Sequence, residues 1–131
     1  EGHMRGYCFR ALLASAGLLL VALPVGAHHS AAAAFDDTKP VTVTGLITEV
    51  RLENPHTWFF LDVTDADGNV VNWGLEGTTP TALIRSGFKR DALKPGDRVT
   101  ITGIHARDPT ANRGAVSEIV LLETGQTFRV R

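Results

Sequence analysis

Residues 57–76 read TWFFLDVTDADGNVVNWGLE, and their alternation decides the fold. Thr57 to Thr64 is rich in aromatic and β-branched residues, which suit a pleated, half-buried strand. Asp65-Ala66-Asp67-Gly68-Asn69 supplies a turn, with Gly68 and Asn69 suited to positive φ. Val70 to Glu76 returns as a second strand, with Val71, Trp73 and Leu75 on one face. Together they predict an antiparallel hairpin. Strand side chains alternate between faces. Phe59, Leu61 and Val63 form the core set, which puts His56, Trp58 and Phe60 on the outer face with Asn72 and Glu76.

The pattern extends in both directions. Upstream, Val41 to Glu53 is a long first strand whose phase changes in the middle. Val41 and Val43 share one phase and Leu46, Val50 and Leu52 the other, with Gly45 at the switch, as at a β-bulge or bend. Asn54-Pro55-His56 marks the corner between strands one and two, because proline fixes the chain there. Downstream, the period changes. Thr79 suits an N-cap, Pro80 the first helical position and Gly87 the stop, which predicts a short helix over 81–86 with Ala82 and Leu83 inward. Strands follow over 98–105, 115–122 and 127–130, the last two joined at Thr124-Gly125.

The order is therefore mainly β: a small five- to six-stranded OB-like barrel with one short helix between strands 3 and 4. An open sandwich of similar content fits the same pattern. Residues 41–131 form the expected domain, and 28–40 (HHSAAAAFDDTKP) its N-terminal lead-in.

The beginning of the chain has a different character. Glu1-Gly2-His3 precedes Met4 and reads as an expression remnant. Arg5 and Arg10 then introduce the uncharged run ALLASAGLLLVALPV, which is shorter than the ~20 residues of a membrane span. Pro24 and the small residues Val25-Gly26-Ala27 close it, so residues 4–27 read as a signal peptide cleaved after Ala27. The expected location is the periplasm. A buried core helix is the other reading of that run. The chain's single cysteine, Cys8, lies within it, so the secreted part has neither disulfides nor thiolate ligands. The formal charge of −1 lacks the basic footprint of a nucleic-acid binder, and no second apolar run suggests a membrane span after cleavage.

Cleavage after Ala27 would make His28 the first residue. Its α-amine and imidazole would then form a chelate, with His29 or His56 completing a set. Imidazole suits copper, zinc, nickel and iron, and copper(II) leads on raw affinity. The competing reading leaves His28 and His29 solvated and His56 as a corner residue bonded to backbone. The outer hairpin face offers a second site type, a polar and aromatic patch of Trp58, Phe60, Asn72 and Glu76 able to hold a small ligand. A lead-in packed over those aromatics is the bland alternative. His105 falls in phase with Val99 and Ile101 and reads as a satisfied, partly buried histidine. No nucleophile motif, zincin motif or phosphate loop is present, so an enzyme is not expected.

The segments HHSAAAAFD, KPVTVTGLITEV, NPHTWFFLDVTDADG, VNWGLEG and LKPGDRVTITGIHARD resemble a family of short secreted bacterial proteins of unknown function. Its features are a histidine pair after the signal peptide and an N-P-H corner, and the resemblance covers residues 28–122. It implies a periplasmic OB-like domain and carries no activity. The first expectation is thus a periplasmic metal-binding protein, with copper(II) held by His28, His56 and His29. The alternative is a non-catalytic OB-fold module that binds a small ligand or a periplasmic protein partner through its aromatic hairpin face.

Overall fold

The computed structural model describes residues 34–130. Six strands and one short helix follow in the order β1 (Phe35–Arg51), β2 (Trp58–Thr64), β3 (Val70–Glu76), α1 (Pro80–Arg85), β4 (Arg98–Ala106), β5 (Arg113–Leu121) and β6 (Gln126–Arg129). All belong to one sheet, ordered β3-β2-β1-β4-β5-β6, with an additional β3–β5 pairing. That pairing is parallel and short, from Gly74↔Arg113 to Glu76↔Ala115, and closes a hydrogen-bonded ring through β3, β2, β1, β4 and β5. β6 pairs with β5 alone, so the last strand extends the sheet and takes no part in closure.

The hairpin forms as its alternation predicts. β2 and β3 pair in register from Trp58↔Glu76 to Thr64↔Val70. Phe59, Leu61 and Leu75 are fully buried in the main core, and Val63 and Trp73 pack against it. The turn is held by Asp65, whose carboxylate accepts from the backbone N–H groups of Asp67 and Asn69, while Gly68 takes φ 85°.

β1 departs from expectation at two places. It begins at Phe35, not Val41, so the second half of the expected lead-in is strand. Phe35 pairs with Ala106 and Asp36 with His105, and the register then jumps to Pro40↔Ile104. The intervening residues bulge outward, anchored by Asp36, whose carboxylate accepts from the N–H and hydroxyl of Thr38. The ladder can therefore absorb a proline in this strand. Second, the phase changes between Ile47 and Glu49, where Thr48 is the extra residue against β2, and not at Gly45. Ile47 is buried and Leu46 is 49% exposed. Gly45 serves another purpose, because a Cβ there would lie 2.2 Å from the Asp62 carbonyl oxygen. Only glycine lets the two backbones approach so closely.

α1 is capped as read. The Thr79 hydroxyl accepts from the Ala82 N–H at 3.2 Å, Pro80 occupies the first turn and Gly87 takes φ 98°. Its buried residues are Pro80 and Leu83, whereas Ala82 is exposed. A second cluster of Phe35, Ala106 and Ala115, with Ile104 and Ala111 packed on it, lies apart from the main core. It sits where β1 begins and where β5 joins β3.

Candidate functional site

The closure seam brings four pieces of chain together. Phe35 opens β1, His56 ends the corner before β2, Glu76 ends β3 with Thr78 just beyond it, and Ala115 and Val116 lie early in β5. These residues line a cleft of about 190 Å³.

The corner that carries His56 is tightly fixed. The Asn54–Pro55 peptide bond is cis. Thr57 is completely buried, and both its backbone N–H and its hydroxyl donate to the Thr78 carbonyl, each at 2.9 Å. The Gly77 N–H donates back to the Thr57 carbonyl at 2.8 Å. Through these bonds the β2–β3 ladder runs one step past Trp58↔Glu76, which sets His56 beside Glu76. The two side chains meet through His56 Nδ1 and Glu76 Oε1; the histidine side chain is 43% exposed and the glutamate 17%. With Nδ1 engaged, Nε2 is the ring nitrogen left for another partner.

The outer hairpin face is as the alternation predicts, and its residues are already engaged with one another. Trp58 and Phe60 stack with ring centroids 6.0 Å apart and planes 17° from parallel. The Arg51 guanidinium lies 4.7 Å above the Phe60 ring and that of Arg113 lies 5.6 Å from the Trp58 ring centroid. Such cation–π contacts use the negative ring faces. Phe60 also lies against Gly74, where a Cβ would come within 3.1 Å of the ring. Asn72 donates to Asp62 at 2.8 Å and to Thr48 at 3.3 Å. Arg51 in turn holds Glu49 through two bonds, of 2.6 and 3.0 Å. Those bonds keep the Glu49 carboxyl below its ordinary pKa and push the Arg51 guanidinium above its own.

Of the residues singled out in the sequence, His56, Trp58, Phe60, Asn72 and Glu76 therefore share the outer surface of β2 and β3. Glu76, opposite Trp58 in the ladder, engages His56. His28, His29 and the signal peptide assigned to residues 4–27 lie outside the described residues. Among the described residues, no three His, Cys, Asp or Glu side chains are grouped to hold a metal ion, and no helix is long and apolar enough to cross a membrane. His105 is satisfied as expected: its Nδ1–H donates to the Ala106 carbonyl at 2.7 Å and its ring stands edge-on to Trp73.

Phe35, Arg51, Arg113 and the β5 wall were not anticipated as part of this surface. Phe35 was hidden in an alanine-rich lead-in. Arg113 and the β5 wall come to the site through the parallel β3–β5 contact, which has no local sequence signature.

The fold and this seam define a small, mainly β domain with a cleft at the point of ring closure, where His56, Glu76 and Thr78 meet the apolar Phe35, Ala115 and Val116. The chain belongs to the family of unknown function DUF6152, whose model matches residues 15–115. The matched span includes His28, His29, His56, Glu76 and the seam up to Ala115, and it bears out the resemblance drawn from the HHS…NPH pattern. No curated protein matches the chain.

Proposed function

We propose that the protein is a periplasmic, non-catalytic metal-binding protein, most suited to copper(II), in which His56 joins the N-terminal His28, with His29 as a further candidate ligand. One observation carries this reading. Phe35, at the start of β1, lines the same cleft as His56. β1 therefore begins beside the seam that holds His56. Only six residues of chain, each spanning at most about 3.3–3.6 Å, separate His28 from Phe35, which keeps the amine within reach of His56. A chelate of amine and ring with a second imidazole is a nitrogen-rich set, and copper(II) heads the divalent series for such donors.

The alternative, a ligand-binding module that uses Trp58, Phe60, Asn72 and Glu76, has less support. Each of these side chains is already engaged: the rings by Arg51 and Arg113, Asn72 by Asp62 and Glu76 by His56. A ligand there would have to displace existing contacts.

The test is a copper(II) titration of the protein beginning at His28, its His56→Ala variant, and a form with one alanine added before His28. The reading expects one-to-one binding that weakens in both altered forms. Binding equal in all three would overturn it. The protein must begin at His28, because any residue before it ties the His28 α-amine into a peptide bond.

A further inference from the structure

We infer that Glu76 is the positioning residue of this site. It holds the His56 imidazole with its proton on Nδ1, which makes Nε2 the atom offered to a metal ion. The use of that atom rests on the metal-binding reading above; the assignment of the proton does not.

A neutral imidazole has one N–H donor and one acceptor nitrogen, and the partner of one nitrogen decides the state of the other. An ionised carboxylate only accepts. Because His56 Nδ1 meets Glu76 Oε1, Nδ1 must carry the proton, which leaves the lone pair on Nε2. The same arrangement, histidine to carboxylate through the non-ligating nitrogen, fixes ring orientation and raises ligand basicity in metal sites.

The seam makes the pairing rigid from both sides. Glu76 lies opposite Trp58 on one side and Ala115 on the other, so its backbone is held between two strands. His56 precedes Thr57, whose two bonds to Thr78 set the distance between the corner and the end of β3. Among the described residues no other carboxylate forms an ion pair with this ring. His105 offers a comparison within the same molecule, because its Nδ1 bonds to a backbone carbonyl and owes nothing to Glu76.

The experiment is long-range ¹H–¹⁵N NMR of the histidine rings in the metal-free full chain at a pH of about 8, above the ordinary imidazole pKa of about 6.5. It uses the wild type, Glu76→Gln and Glu76→Ala. His56 is expected as the Nδ1–H tautomer in the wild type and in Glu76→Gln, whose amide oxygen can still accept. In Glu76→Ala it should shift toward Nε2–H while the His105 signal stays in place, which reports an intact fold. An Nε2–H His56 in the wild type, or a tautomer indifferent to Glu76→Ala, would overturn the inference whatever copper does. Copper titration of the same substitutions in the protein beginning at His28 gives the second readout. Glu76→Ala should lose about 10- to 100-fold in affinity, with most of it restored in Glu76→Gln. If the tautomer behaves as expected and no form binds copper, the positioning role stands and the metal reading fails.

Discussion

Replacing Gly77 by alanine tests whether the corner that presents His56 is as tightly built as its bonds imply. A Cβ at Gly77 would lie 2.4 Å from Thr57 Oγ1, 3.0 Å from Val130 Cγ1 and 3.1 Å from Phe59 Cε2. Thr57 and Phe59 are fully buried and Val130 is 2% exposed, so none can swing into solvent. The β-branched Thr57 has few rotamers, and moving its hydroxyl breaks the 2.9 Å bond to Thr78. Overpacking of this kind costs about 1–3 kcal/mol, and stranding a buried hydroxyl costs about 1–3 kcal/mol. Partial relaxation gives an expected loss of about 2–4 kcal/mol. For a domain of this size each kcal/mol moves Tm by about 4–8 °C, so the Tm followed by circular dichroism should fall by at least about 8 °C. Thr57→Ala removes the atom that clashes. In a double-mutant cycle the combined variant should therefore be less destabilised than the sum of the two by about 1 kcal/mol or more. A Gly77→Ala protein as stable as wild type, or strictly additive energies, would refute the geometry of this corner.

Two further outcomes follow from named contacts. Asp65 accepts from the backbone and side chain of Asn69 first, and then from the Asp67 and Gly68 backbone, and these bonds hold its carboxyl below the ordinary value. A depressed folded-state pKa contributes stability that is complete above the unfolded value of about 3.9 and lost as pH falls through the folded one. Urea midpoints measured down the acid limb should therefore fall less steeply for Asp65→Ala than for wild type below pH ~4, and parallel limbs would contradict this. Thr79→Ala removes the cap on α1 and should cost about 1 kcal/mol in urea denaturation, with no change if another group caps the helix.

The hairpin was legible because alternation and turn chemistry act over a few residues: Phe59, Leu61 and Leu75 had to face one way, and His56, Trp58, Phe60, Asn72 and Glu76 the other. The helix was legible for the same reason, through Thr79, Pro80 and Gly87. What the sequence concealed is non-local. The β3–β5 contact joins strands separated by α1 and β4, and nothing near Glu76 or Ala115 announces it. Phe35 stands after four alanines and before a run of polar residues, and its role emerges only once Ala106 and Ala115 are beside it. Gly45 is a special position for a reason other than a change of phase. The bulge lies at Thr48, and the glycine is required by the approach of the Asp62 carbonyl. For the site, residue types gave His56 and Glu76 separately, and only the register Trp58↔Glu76 made them partners.

The most direct measurement of the central claim is the electron paramagnetic resonance spectrum of copper(II) bound to the protein beginning at His28, set beside that of the free peptide HHSAAAAF and the His56→Ala protein. If the fold supplies a ligand, the protein's spectrum should show a nitrogen donor that the peptide lacks, and His56→Ala should revert to the peptide's signal. Identical spectra from all three would show that the histidine pair binds copper by itself, and the claim that His56 belongs to a metal site would be wrong.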